Sequence, residues 1–317
     1  MIKNLVILFV FIVISTQLKA NEKLEFESIL FNRDTVEISG LTSYKDTLLM
    51  VGDKLSNRAV YKIKFEKDRF YYTSHIDLTK LSGHNKYFAK ALLLKHGERL
   101  IKSPFDLEGI TFCNDTFYIV NEQVRHVLKV SNSRIKNLSL NFSPIFKKNN
   151  FPLKQVSTNA GFEGIAADCK NQKLYIAQER SPRAIIQVDL VSNAVEDMFL
   201  ISNEETKFGS KDFTDLYYEN DHLYILKRNA HEITKYNLKK RKEVKTVSVG
   251  HTNKIHLREI YDTGTPYGLA EGLAMTKDTI YIGVDNNKSK ISDKAQKAFG
   301  IKGSFSSIII YKRPTGF

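Results

Sequence analysis

Carboxylates recur in this chain where a repeated β unit would gather them. Asp106-Leu107-Glu108-Gly109-Ile110, Gly161-Phe162-Glu163-Gly164-Ile165 and Ala270-Glu271-Gly272-Leu273 each set an acid directly before a glycine. Weaker copies begin at Glu37-Ile38-Ser39-Gly40-Leu41 and Phe213-Thr214-Asp215-Leu216. Each copy ends on a second charge: Asp53, Glu122, Glu179, Arg228 and Asp285. About five residues of strand, a tight turn and about five more return the chain beside its start, so the two charges share one rim. Carboxylates gathered this way raise one another's pKa unless a cation joins them. A hard cation with several oxygen ligands, Ca²⁺ ahead of Mg²⁺, is the natural occupant. The expected ligand set is Glu108, Glu122, Glu163, Glu179, Asp215, Glu271 and Asp285. Each acid has a second reading, in which it accepts backbone N–H bonds from the next unit. Arg228 likewise has two: an ion pair across the channel, or a contact to a phosphate or carboxylate on a ligand.

Strands are the elements that must position these groups. Leu48 to Asp53, Phe117 to Glu122, Leu174 to Glu179, Leu223 to Arg228 and Ile280 to Asp285 are short, β-branched and aromatic, and follow turn residues. Val60 to Ile63, Val127 to Val130, Ile185 to Val188, Ile233 to Tyr236 and Ile308 to Tyr311 supply a third strand in each copy, with a fourth less evident. The glycines at 40, 109, 164 and 272, with Asp215 in the fourth place, mark a radially repeated unit. The expectation is an all-β single β-propeller of five blades. Six is the alternative if Arg69 to Leu100 hides a degenerate blade. A strand within Leu24 to Phe31 is available to complete the last blade and remove the open edge. The excess length falls in loops at His75 to Pro104, Asn141 to Asn159, His251 to Pro266 and Asn286 to Ser304.

Residues 1–20 read as a secretory signal, with Lys3 ahead of the apolar run Leu5 to Ile14 and Ala20 as a small residue for cleavage. That run is short of the roughly 20 apolar residues a spanning helix needs. The domain is then 21–317, exported to the periplasm or beyond. The formal net charge is +13, but the lysines are dispersed and no nucleic-acid motif occurs, so at most weak attraction to an acidic surface follows. The two cysteines, Cys113 and Cys169, make neither a zinc site nor a dense disulfide framework. They fall in the turn after the first strand of neighbouring copies, where an oxidising compartment would allow a bond if the geometry permits.

The phrases at 106–110, 161–166 (Gly-Phe-Glu-Gly-Ile-Ala) and 270–275 (Ala-Glu-Gly-Leu-Ala-Met), in this order, resemble the SdiA-regulated bacterial propeller family. The endings Leu226-Lys227-Arg228 and Val284-Asp285-Asn286-Asn287 are similar to the related phytase-like, esterase-like domain family. The resemblance spans about residues 35 to 312 and implies a five-bladed, exported bacterial propeller with a calcium ion. Ser39 before Gly40, Asn121 before Glu122 and Arg228 in place of an acid depart from the pattern.

No Gly-x-Ser-x-Gly elbow, His-Glu-x-x-His or phosphate-binding loop is present. Lys95-His96-Gly97-Glu98-Arg99 has only a faint likeness to a phosphatase motif and reads as loop. Two functions remain. One is an exported Ca²⁺-binding propeller that takes a small-molecule or anionic ligand, a phosphoester among the options, at its acidic mouth. The other is a metal-dependent phosphoesterase or esterase, a hydrolase with Arg228 on the anionic group and a carboxylate as base.

Overall fold

The computed structural model describes residues 22–32, 37–52, 58–92, 95–96, 99–100, 106–131, 133–151, 161–180, 183–201, 205–206, 209–210, 212–264 and 269–317. The signal segment and Asp53 lie outside the described residues. Each copy of the repeat builds one antiparallel array of four strands. Sheet I holds Gly40–Tyr44, Thr47–Val51, Ala59–Glu66 and Arg69–Asp77. Sheet II holds Leu107–Cys113, Thr116–Asn121, His126–Ser131 and Arg134–Asn137. Sheet III holds Phe162–Asp168, Lys173–Gln178, Ala184–Asp189 and Ala194–Leu200. Sheet IV holds Phe213–Glu219, His222–Lys227, Glu232–Asn237 and Lys242–Ser248. Sheet V takes Ala270–Met275, Thr279–Val284 and Ser307–Lys312 from the end of the chain, and Phe26–Asn32 from its beginning.

That last pairing is the terminal exchange the sequence suggests. Phe26–Asn32 runs antiparallel to Ser307–Lys312 and then touches Arg69 and Phe70 of sheet I in parallel register, which links sheets V and I. Glu22–Lys23 adds a short parallel strand outside sheet IV, which the sequence did not reveal. Arg69–Asp77 is the fourth strand of sheet I, and the stretch beyond it forms a 3₁₀ turn and the helix His84–Leu92. Two further helices, Ser143–Lys148 and Asp293–Phe299, also fall inside stretches read as loops. In the Lys95-to-Arg99 stretch, Lys95–His96 pairs with Arg99–Leu100 as a small ribbon.

Apolar faces of neighbouring sheets make the core. Ile165, Leu174 and Ile186 of sheet III pack with Val120 and Val127 of sheet II, and Leu226 and Ile233 of sheet IV with Leu273 and Ile282 of sheet V. The first strands lie innermost and follow each other round a closed ring, I to II to III to IV to V and back to I. Radial sheets around such an axis are the β-propeller architecture.

Close approach at the axis explains the glycines. A Cβ on Gly40 would lie 2.0 Å from the carbonyl oxygen of Glu108, and one on Gly109 would lie 2.4 Å from that of Glu163. Replacing Gly109 by Ala is expected to cost ~3 kcal/mol, the upper end of the usual overpacking range, because backbone rather than a movable side chain must give way. Urea unfolding of the two proteins measures it, and near-equal midpoints would contradict the packing.

Cys113 and Cys169 are joined in a disulfide across sheets II and III, with Cα atoms 5.4 Å apart and 56 positions between them in sequence. The chain-entropy model gives such a crosslink about 4 kcal/mol. Reduced protein, or the Cys113→Ser/Cys169→Ser double variant, is expected to unfold at correspondingly lower urea.

Candidate functional site

A β-bulge in sheets II to V sets the direction of the acidic side chains. In sheet II, Ile119 pairs with Ile110 but Asn121 pairs with Leu107, so the inner strand holds one residue more than its partner. The same extra residue occurs between Phe162 and Ile165, between Phe213 and Asp215, and between Ala270 and Gly272. Bulges of this kind re-aim side chains beside functional sites. Above each bulge the chain closes alike: Glu122, Glu179, Arg228 and Asp285 donate their backbone N–H to the carbonyls of Asp106, Gly161, Asp212 and Leu269, at 2.9 to 3.1 Å. Two inner-strand positions therefore flank the mouth, one directly before the glycine place and one three before it. The first carries Glu108, Glu163 and Glu271. The second carries Asp106 and Asp212, which the sequence reading left out of the site although the same offset recurs.

The carboxylates meet in two overlapping sets. Ligand oxygens of Asp106, Glu108 and Glu122 lie within 4.8 Å of one another, as do those of Glu122, Glu163 and Glu179. A cation with metal–oxygen bonds of about 2.3–2.6 Å spans such distances. Glu122 belongs to both sets, and its Oε1 accepts the Gly161 N–H at 3.1 Å. Burial raises its pKa well above the ordinary range, and Glu179 and Asp106 raise it further. Glu163 is raised in the same way by burial and by Glu179, Glu122 and Glu271, against a smaller opposing effect of Arg228. Arg125 lies near Glu122 and over the Phe146 and Phe162 rings, and burial lowers its pKa to about 10.

Sheet IV breaks the pattern twice. Arg228 takes the place of Glu122 and Glu179 and bridges both neighbouring sheets. One guanidinium nitrogen donates to Glu271 Oε1 at 2.6 Å, and the other donates to Glu179 Oε1 and reaches Asp212 Oδ2 at 3.4 Å. Burial opposes its charge, but Glu271, Glu179, Glu163 and Asp212 outweigh it and hold the group protonated. Arg180 adds an ion pair to Glu179 Oε2 at 3.0 Å. Burial still raises Glu271 to about 7, and its Oε2 is buried with no hydrogen-bond partner among the described residues. The ion pair across the channel is thus the observed state of Arg228.

Asp215 takes the glycine place and turns away from the other acids. A Cβ on Gly164 would lie 2.7 Å from its Cα. Its Oδ2 accepts the N–H of Leu273 at 2.7 Å and of Leu41 at 3.3 Å, and its Oδ1 accepts that of Leu216 at 2.8 Å. The fully buried carboxylate therefore ties inner strands of sheets IV, V and I together. Thr214 reinforces the join by donating to the Ala270 carbonyl at 2.8 Å. Asp285 stands at the sheet V rim and accepts the Asn287 N–H at 3.0 Å. Asn121, one of the departures noted above, donates to Tyr87 Oη at 3.2 Å and so fixes the helix His84–Leu92 over the sheet II rim.

A family model described as SdiA-regulated matches residues 93–287. Comparison with curated protein sequences gives no match. Among solved structures, glutaminyl cyclase from Myxococcus xanthus is 7% identical, with a TM-score of 0.50 over 92% of this chain and 100% of that one. A gluconolactonase from Xanthomonas campestris is 10% identical, with a TM-score of 0.40 over 86% and 70%. Apo AztD from Citrobacter koseri is 9% identical, with a TM-score of 0.33, and this chain spans 47% of its length while 67% of this chain is covered. At these identities the likeness is one of fold.

The raised carboxyls set a pH dependence with a definite sign. Glu163 keeps its proton in the folded chain to a higher pH than the ordinary 4.5 of the unfolded chain. Its stabilising effect is complete below about pH 4.5 and is lost as pH rises through the folded-state value. Gln mimics the protonated form at every pH. In chelator, Glu163→Gln is therefore expected to gain melting temperature relative to the parent between about pH 5 and pH 8, and a pH-independent difference would contradict the assignment.

Proposed function

The chain belongs to the SdiA-regulated family, and from that membership and the mouth described above we propose that it is an exported, five-bladed, calcium-binding propeller that takes a ligand at its acidic mouth. The observation that carries this reading is the pair of buried carboxylate sets sharing Glu122. All their donors are oxygens, which suits Ca²⁺ better than a softer metal. Asp106, Glu108, Glu122 and Glu163 are the proposed ligands, with Glu179 at the boundary held by Arg180 and Arg228. A bound cation would relieve the repulsion that otherwise favours protonation. It would also leave coordination positions for a small-molecule or anionic ligand from the open side.

Five four-stranded sheets in one ring support the blade count, and Phe26–Asn32 would close the fifth. Residues 1–20 are the proposed signal and 21–317 the mature domain. The Cys113–Cys169 bond suits an oxidising compartment, the periplasm or the exterior. Among the described residues no helix is long and apolar enough to cross a membrane. Binding is preferred to hydrolysis because the residue that would grip a phosphoester, Arg228, is engaged by three carboxylates.

Thermal unfolding tests the cation claim. Calcium at about 100 times its dissociation constant contributes ~2.7 kcal/mol, which raises the melting temperature by about 5 °C over the chelated protein. Glu122→Gln is expected to remove most of that response. A parent protein indifferent to calcium and chelator would sink the proposal.

A further inference from the structure

Three histidines that lie apart in the sequence meet behind the sheet IV rim. The ring centroids of His231 and His256 are 5.1 Å apart and those of His251 and His256 are 4.7 Å apart, both edge to face. His231 is only 4% exposed, and among the described residues neither of its ring nitrogens has a hydrogen-bond partner. Arg258 adds a fixed positive charge to the same group. Burial, then Arg258, His256 and His251, lower the pKa of His231 to about 3.

His256 has a different task. Its Nδ1 accepts the Arg258 backbone N–H at 3.1 Å, while its own backbone N–H donates to Glu259 Oε2 at 2.9 Å. This capping box starts the 3₁₀ turn Leu257–Glu259. An accepting Nδ1 carries no proton, so protonation of the imidazole removes the cap. The same requirement argues against a metal on Nε2, since a metal-bound histidine normally donates its other N–H. The carboxylate facing His256 is that of Glu259, already held by Lys294 at 2.5 Å.

We propose that His231, His251 and His256 form an acid-released latch, which seats the segment 251–261 against sheet IV at neutral pH and frees it on acidification. In the neutral state Leu257 N–H donates to the Gly250 carbonyl and Val249 N–H to that of His231, at 2.9 and 2.8 Å. Acid favours the released state, in which His231 can take the proton that its seat beside Arg258 and two further imidazoles disfavours, and protonation of His256 would turn its cap from acceptor to donor. The effect reaches the mouth. Arg258 donates to the Asn229 carbonyl at 2.8 Å, and Asn229 donates to Asp212 Oδ2 at 3.2 Å, beside Arg228. Release of the segment therefore withdraws support from the sheet IV side of the acidic rim.

Amide hydrogen exchange of the mature chain at about pH 7.5 and about pH 5, corrected for intrinsic rates, tests the latch. Segment 250–261 is expected to lose roughly 30-fold in protection in acid, from a histidine with pKa 6.5 when released and about 3 when seated. The second strands of the sheets keep theirs. His256→Asn retains a capping oxygen that does not titrate, and His231→Phe removes the buried imidazole. Each is expected to be protected at pH 7.5 and to have a weakened acid response. Unchanged protection of the parent segment in acid, loss spread evenly over all sheets, or a parental response in both variants would overturn the proposal.

Discussion

Backbone contact at the axis is the constraint on which the rest of this structure depends. Five inner strands approach so closely that Gly40 and Gly109 have backbone where a Cβ would be. At the fourth position the solution changes from absence to attachment. Asp215 brings a side chain into the ring, and burial raises the pKa of its carboxyl well above the ordinary range, against the opposing effect of its backbone N–H partners. Three backbone N–H donors supply what water would otherwise give, and in doing so they tie three sheets. A buried acid with such partners is a fastening, and removing one partner would leave a buried polar atom unsatisfied. Everything nearer the mouth is positioned by this belt.

The bulges convert the belt into a site. One extra residue lies on each inner strand of sheets II to V, where Glu108, Glu163 and Glu271 stand directly before the glycine place and Asp106 and Asp212 three before it. In sheet I the described pairing begins with Gly40 opposite Val51, and Ser39 stands where the others carry Glu or Thr. The acids described above come from sheets II, III, IV and V.

Much of this was legible in the sequence because it follows from periodicity. Repeated glycines marked the inner strands, and the Tyr- and Ile-rich runs marked the second and third. The exchange of Phe26–Asn32 into sheet V was legible because a chain ending on a third strand leaves an edge unfilled. The role of Asp215 was not, because its residue type suits a ligand as well as a fastening and only the axial distances separate the two. Asp106 and Asp212 were missed because the repeated phrase was read from the acid beside the glycine place, and they precede the inner strands by one residue. The histidine group could not be read at all. His231 and His256 meet through a turn and a capped loop, and neither carries a periodic signal.

The two halves of the mouth answer one electrostatic problem differently. Buried carboxylates repel unless positive charge is supplied, and the desolvation cost is repaid only by close, well-bonded partners. On the side of sheets III, IV and V the chain supplies that charge itself, as Arg228 bonded to Glu179, Glu271 and Asp212. A planar guanidinium suits this because its fork reaches two sheets at once. On the side of sheets II and III the carboxylates meet in two sets, Asp106, Glu108 and Glu122 and then Glu122, Glu163 and Glu179, that share Glu122. A fully symmetric acidic ring would have several equivalent positions for a cation and would fix none of them. By bonding Glu179, Glu271 and Asp212, Arg228 supplies positive charge to one half of the mouth from within the chain.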